Sequence, residues 1–249
     1  MNMQQDTIGL FGKLPAHGDF VQRNLPAGFI NVWDEWLQHF IAGTKEQLGE
    51  SWLDVYLTSP LWRFVFSAGV IDDNSWTGVM IPSVDRVGRY YPFSIIKKLP
   101  PYINPFEFIQ RQTAWYKEVE TLALGALDGE IIIDDLVLTL ETMTIEYQSD
   151  YSRSGFNTES DGFQFDMEFE EQSVSSVYPL LLDTAMTKLF KSYSVWQTIG
   201  SDYVKPCLFS SQGLPGVQKM PAMLNGNWNG CGWYQPYSLN ELQNVGEEV

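Results

Sequence analysis

His17-Gly18-Asp19 sets an imidazole one residue from a carboxylate, a pair able to pass a proton, and Ser83 or Cys207 offers an oxygen or sulfur that a base could activate. Side chains so near in sequence seldom aim at one another, however, and no spacing in the chain selects one nucleophile. Gly9-Leu10-Phe11-Gly12-Lys13 has the glycines and lysine of a phosphate loop, but the GxxxxGK[ST] spacing fails. Leu14 also stands where a magnesium-binding hydroxyl is needed. Neither a GxGxxG nor a GxSxG elbow occurs. With His17 and His39 the only histidines, a metal centre built on several imidazoles is excluded. Cys207 and Cys231 form neither a CxxC pair nor a zinc framework. No metal and no cofactor is expected.

The densest constellation is Pro82-Ser83-Val84-Asp85-Arg86-Val87-Gly88-Arg89-Tyr90-Tyr91-Pro92. Arginines three residues apart can clamp a carboxylate or phosphate in bidentate fashion. Asp85 can equally pair with Arg86 or Arg89 and hold the loop in shape, with Asp19 or Arg23 from an earlier loop completing an internal network. Two function classes therefore compete. One is a small hydrolase or phosphate-handling enzyme using His17, Asp19, Asp85, Arg86 and Arg89. The other is a non-catalytic interaction protein. Geometry discriminates them, because an enzyme needs these groups converging in a pocket with room for substrate.

The elements that must position these residues follow from hydrophobic spacing. Ile8 to Lys13 reads as a short strand ended by Pro15. Phe29, Trp33, Trp36 and Phe40 fall on one stripe of a helix running from Pro26–Gly28 to about Leu48-Gly49. Trp62–Ala68, Trp76–Ile81 and Pro92–Lys97 read as strands, the first two forming a hairpin around the turn residues Asp72-Asp73-Asn74-Ser75. Asn104-Pro105-Phe106-Glu107 opens a helix with a capping asparagine, and that helix runs to Asp128-Gly129 with Phe108, Trp115, Val119, Leu122 and Ala126 on one side. Further on, Asp134–Thr144 and Pro179–Phe190 read as helices, Tyr193–Thr198 and Val204–Phe209 as strands, and Tyr147–Gly162 as a loop. Helices interspersed with antiparallel strands predict an α+β fold, an antiparallel sheet flanked by helices.

Among the 249 residues, 44% are hydrophobic and 14% aromatic, which supplies a sizeable core. The net charge of -16 is concentrated between Asp128 and Glu171, where 13 acidic residues accompany one arginine, Arg153. That stretch is either a solvated face or a surface for a basic partner. So acidic a chain disfavours nucleic acid and anionic membrane, both of which demand Lys and Arg. No stretch is apolar enough to span a bilayer and no signal sequence precedes Asp6, so insertion in a membrane is not expected. Unpatterned cysteines suit a reducing cytoplasm. The expected division is residues 1–127 as a patterned core, and 128–249 as an acidic segment and C-terminal part packed into the same domain.

Several ordered blocks carry a family resemblance. Gly9–Pro15, Gly18-Asp19-Phe20-Val21, Leu25-Pro26, Trp33-Asp34-Glu35-Trp36-Leu37, Tyr56–Phe64 and Gly78–Arg89 resemble the TagF/ImpM family of accessory proteins encoded with bacterial type VI secretion systems. Ser194-Val195-Trp196, Gly200, Gly213-Leu214-Pro215 and Leu224-Asn225-Gly226 resemble its C-terminal block, while the acidic stretch between follows no family pattern. The resemblance implies a post-translational negative regulator that binds type VI components through the forkhead-associated scaffold protein, on a profilin- or longin-style sandwich. The protein phosphatase domain fused to some members has no counterpart here. Lys13, Asp19, Trp62, Arg63, Ser83, Asp85, Arg86 and Arg89 of these blocks, with His17 and Arg23 from the first loop beside them, are the candidate partner-binding or structural motif.

Overall fold

The computed structural model describes residues 8–149, 151–152, 161–167 and 174–237. Seven strands form one antiparallel sheet. They are β1 (Ile8–Gly12), β2 (Val21–Arg23), β3 (Trp62–Phe66), β4 (Ser75–Ile81), β5 (Phe93–Leu99), β6 (Tyr193–Thr198) and β7 (Cys207–Gln212), in the spatial order β2-β1-β5-β4-β3-β6-β7. One sheet thus takes strands from both ends of the chain. Its β3–β4 hairpin closes through Asp72, whose Oδ1 accepts from the Asn74 amide and the Trp76 indole.

Helices cover both faces. On one side lie α1 (Ala27–Leu48), α2 (Trp52–Leu57) and the short α7 (Ala222–Asn225). The α1 stripe Phe29, Trp33, Trp36 and Phe40 is buried as its spacing requires, against Phe64, Phe66, Trp76 and Trp196 of the sheet. Each such side chain withdrawn from water contributes about 1.5–3 kcal/mol before the entropy of ordering is subtracted. Gly78 belongs to this layer's economy of space, since a Cβ there would strike the Ile95 carbonyl and the Phe64 ring. On the other face α3 (Pro105–Arg111), α4 (Thr113–Leu127), α5 (Ile133–Thr142) and α6 (Tyr178–Phe190) pack over Val65, Val79, Ile95 and Val195.

Two local expectations change, two short elements are added, and one loop reading stands at its described residues. The helix expected from Asn104 to Asp128 is broken at Gln112, which leaves helical geometry while its side chain donates to the Glu146 carbonyl. Its neighbours are ordinary helix formers, so no residue type marks the break. The last strand runs Cys207–Gln212 instead of Val204–Phe209, because Pro206 has no amide to give a ladder and Val204 is spent as a buried plug. Two short elements, β2 and α2, carry too few residues to show a period. The loop expected at Tyr147–Gly162 holds neither helix nor strand at its described residues, and 150 and 153–160 lie outside them.

Candidate functional site

Sheet order explains how residues far apart in sequence meet. β1 lies beside β5, with Gly12 opposite Phe93, and Ile81 at the end of β4 is also opposite Phe93. Lys13, just past β1, therefore abuts the β4–β5 connection that carries Ser83 to Arg89. Gly12 permits the approach: its φ is 134°, and any Cβ would collide with the Pro92 carbonyl.

Asp85 is the centre of the cluster. Its Oδ2 accepts from Lys13 Nζ at 2.8 Å and from Arg89 Nε at 2.6 Å. Its Oδ1 accepts from the amides of Val87 at 3.0 Å and Arg89 at 2.9 Å. The backbone turn closes with Asp85 N donating to Arg89 O and Gly88 N donating to Asp85 O. Burial would push this carboxyl up, but Lys13, the Arg89 amide and guanidinium, and the Val87 amide outweigh it and hold it well below the usual carboxylate range. The acid's partners are thus Arg89 and Lys13; the alternatives in which Arg86 pairs with it, or Asp19 or Arg23 completes the network, are not what the fold builds.

The surrounding contacts lock two loops together. Ser83 Oγ donates to Lys13 O at 2.6 Å, Arg86 N donates to His17 O at 2.9 Å, and Arg89 Nη2 donates to Gly18 O at 2.6 Å. Tyr56 of α2 donates its hydroxyl to Ser83 O and accepts from Ser83 N, and burial raises that phenol above its ordinary value. Sequence reasoning missed this anchor, although Tyr56 opens one of the blocks. Phe20 stacks on Phe11 at 5.6 Å, and Lys13 Nζ lies 4.9 Å from the centre of the Phe20 ring.

The ten nominated residues divide by position. Lys13, Ser83, Asp85 and Arg89 meet directly, and the loop of His17 joins them through its backbone. Arg86 projects beside Gly18 and is exposed. Asp19 accepts from the Phe20 amide at an exposed position, and Arg23 on β2 donates to the Gln22 carbonyl. Trp62 is buried in the α1 layer and donates to the Met223 carbonyl. Arg63 faces the other layer, where it grips Glu120 of α4 in a bidentate pair, the Nη2–Oε2 arm being 2.9 Å. Glu120 gave no sequence signal, because a single acid on a helix face looks like any solvated one.

A cavity of about 650 Å³ lies elsewhere, lined among others by Tyr102, Glu107, Tyr147 and Asp183, and by none of the ten. The ten therefore do not converge on it. Among the described residues no group of His, Cys, Asp and Glu is placed to hold a metal ion, and no helix is long and apolar enough to cross a membrane.

Residues 9–143 match the TagF N-terminal domain family, described as type VI secretion system-associated. In structure the chain is similar to PA0076 from Pseudomonas aeruginosa PAO1, with 29% identity over 94% of this chain and 100% of that one, at a TM-score of 0.76. No curated protein gives a match.

Proposed function

The chain belongs to the type VI secretion-associated TagF family, and from that premise we propose that it is a negative regulator acting by stoichiometric binding instead of turnover. Its target in this reading is the forkhead-associated scaffold protein of the apparatus, met in the cytoplasm. The observation that carries the reading is the state of Asp85. All its acceptor directions are taken by four donors from inside the protein, so it has no lone pair to offer a substrate proton. The competing enzyme would need that carboxylate, together with the arginines, facing a substrate-sized hollow.

What the network offers the outside is a stiff rim. Phe20 and Val87 are exposed at 43% and 66%, and Arg86 stands beside them. Loops tied by buried hydrogen bonds lose little entropy on docking, which favours a binding role. The sheet with helices on both faces also suits the profilin- or longin-style sandwich, the finer fold assignment we favour.

A binder obeys mass action, so repression should rise with its ratio to target. The test is to titrate expression in the host and measure export of the secretion tube protein. Graded loss of export at stoichiometric levels is expected. Full repression at trace levels, abolished by His17→Ala alone, would overturn the reading in favour of catalysis.

A further inference from the structure

The two edges of the sheet are finished differently. β2 has three residues, carries Arg23 and ends at Asn24 in the left-handed region, so it presents little to another strand. β7 has six residues in unbroken register with β6, from Cys207 opposite Thr198 to Gln212 opposite Tyr193. Its sequence Cys-Leu-Phe-Ser-Ser-Gln contains no charge and no proline, and its register has no bulge, so the devices that usually blunt an edge are missing. Among the described residues it pairs with β6 alone. Beyond its C-terminal half lies a groove of about 560 Å³ edged by Phe190, Leu214, Val217 and Lys219.

Charge around this edge runs against the rest of the protein. Residues 188–219 hold Lys188, Lys191, Lys205 and Lys219 against Asp202 alone, a net of +3 in a chain of -16. Lys205 precedes the strand and Lys219 lines the groove after it. The edge therefore fits an extended segment that alternates apolar with acidic residues.

The chain itself carries such a segment. Phe163, Phe165, Met167 and Phe169 alternate with Gln164, Asp166, Glu168 and Glu170, the period of a half-buried strand. The described residues of it form no strand, Phe163 and Met167 are 44% and 39% exposed, and no backbone–backbone hydrogen bond holds Phe163–Met167 among the described residues. The Asp166 carbonyl accepts from the Tyr151 hydroxyl, and an exposed main chain that forms no ladder is open to a strand partner.

We propose that β7 is a strand-addition site whose occupant is the 163–170 segment of a second copy of this chain. Main-chain hydrogen bonds supply the attachment, the apolar side chains meet the groove, and the acids meet Lys205 and Lys219. The experiment is sedimentation of the full chain up to about 0.2 mM, a range that detects association of millimolar strength or tighter. A mass rising with concentration and falling with added salt is expected. Ser210→Pro, which removes a backbone donor from β7, should weaken association about tenfold or more. Because that variant could disturb β6, two others act from exposed positions. Lys205→Glu, and Phe163→Ser with Met167→Ser, should each weaken it while leaving the melting temperature unchanged. A labelled peptide of residues 161–171 should bind the wild type and compete with self-association. A strictly monomeric chain at the highest concentration, or association indifferent to the charge reversal and to the segment variant, overturns the proposal. So does a peptide that binds while the chain stays monomeric.

Discussion

Lys13 Nζ lies 2.8 Å from Asp85 Oδ2 across 72 residues of sequence, with side-chain exposures of 7% and 0%. The pair joins the residue after the first strand to the β4–β5 loop, and it lies at the centre of the contacts that lock the two loops.

Removing one member should therefore cost more than removing both. Asp85→Ala leaves Lys13 buried without its counter-charge, and the melting temperature should drop by roughly ten degrees. Adding Lys13→Met to that variant should recover part of the loss, because the uncompensated cation goes too. Differential scanning calorimetry of the two single variants and the double reads the result. Strict additivity would show that the pair is not coupled.

The same carboxylate sets an acid limit. Its folded value is depressed, so its contribution is complete above the unfolded carboxyl value of about 4 and is lost as pH falls below that towards the folded value. The stability gap between wild type and Asp85→Asn should accordingly be flat from neutral pH down to about 4 and narrow beneath it. Urea titrations across that range measure the gap. A gap that closes between neutrality and about pH 5 would assign it to another group.

The second layer has its own, partly buried, ion pair. Arg63 is held by Glu120 from α4, and the carboxylate raises the guanidinium's already high value further. Glu120→Ala should destabilise by about 2–4 kcal/mol, and Glu120→Gln by less, since an amide still accepts one hydrogen bond. Equilibrium denaturation with an unchanged m-value reads this as a folded-state effect.

Both cysteines are free thiols, and burial pushes Cys207 up to about 11 and raises Cys231 as well. Alkylation of Cys207 in the native protein at about pH 8 should run some hundredfold slower than for a free thiol, and quicken about tenfold per pH unit. Time courses read by mass spectrometry test this. Prompt labelling at neutral pH would mean that the strand-end packing around Cys207 opens readily.

Rim and core should separate in function. Arg86→Glu and Val87→Asp alter exposed side chains that make no buried contact, so thermal stability should hold to within about a degree. Repression of secretion should nonetheless be lost if this rim meets the target. Export assays paired with melting curves distinguish the outcomes, and undiminished repression by both variants would move the docking surface elsewhere.

Sequence alone determined whatever depends on neighbours a few residues away. The Phe29–Trp33–Trp36–Phe40 stripe, the asparagine cap whose Oδ1 accepts from the Phe106 and Glu107 amides, and the bounds of β6 are local patterns with local causes. The family blocks were legible for a related reason, since they are contiguous runs. Only the tertiary structure decided which charges meet. Asp85 has two arginines within four residues, yet its buried partner is Lys13, just past β1, because β1 lies beside β5 in the sheet. Arg63 finds Glu120 because α4 packs on the face of the sheet towards which Arg63 projects. Ion pairs carry no periodic signature, and the helix break at Gln112 coincides with a contact to the Glu146 carbonyl, 34 residues away. Spacing along the chain records how far apart residues are in sequence, whereas electrostatics acts through the few ångströms that sheet order and helix packing create.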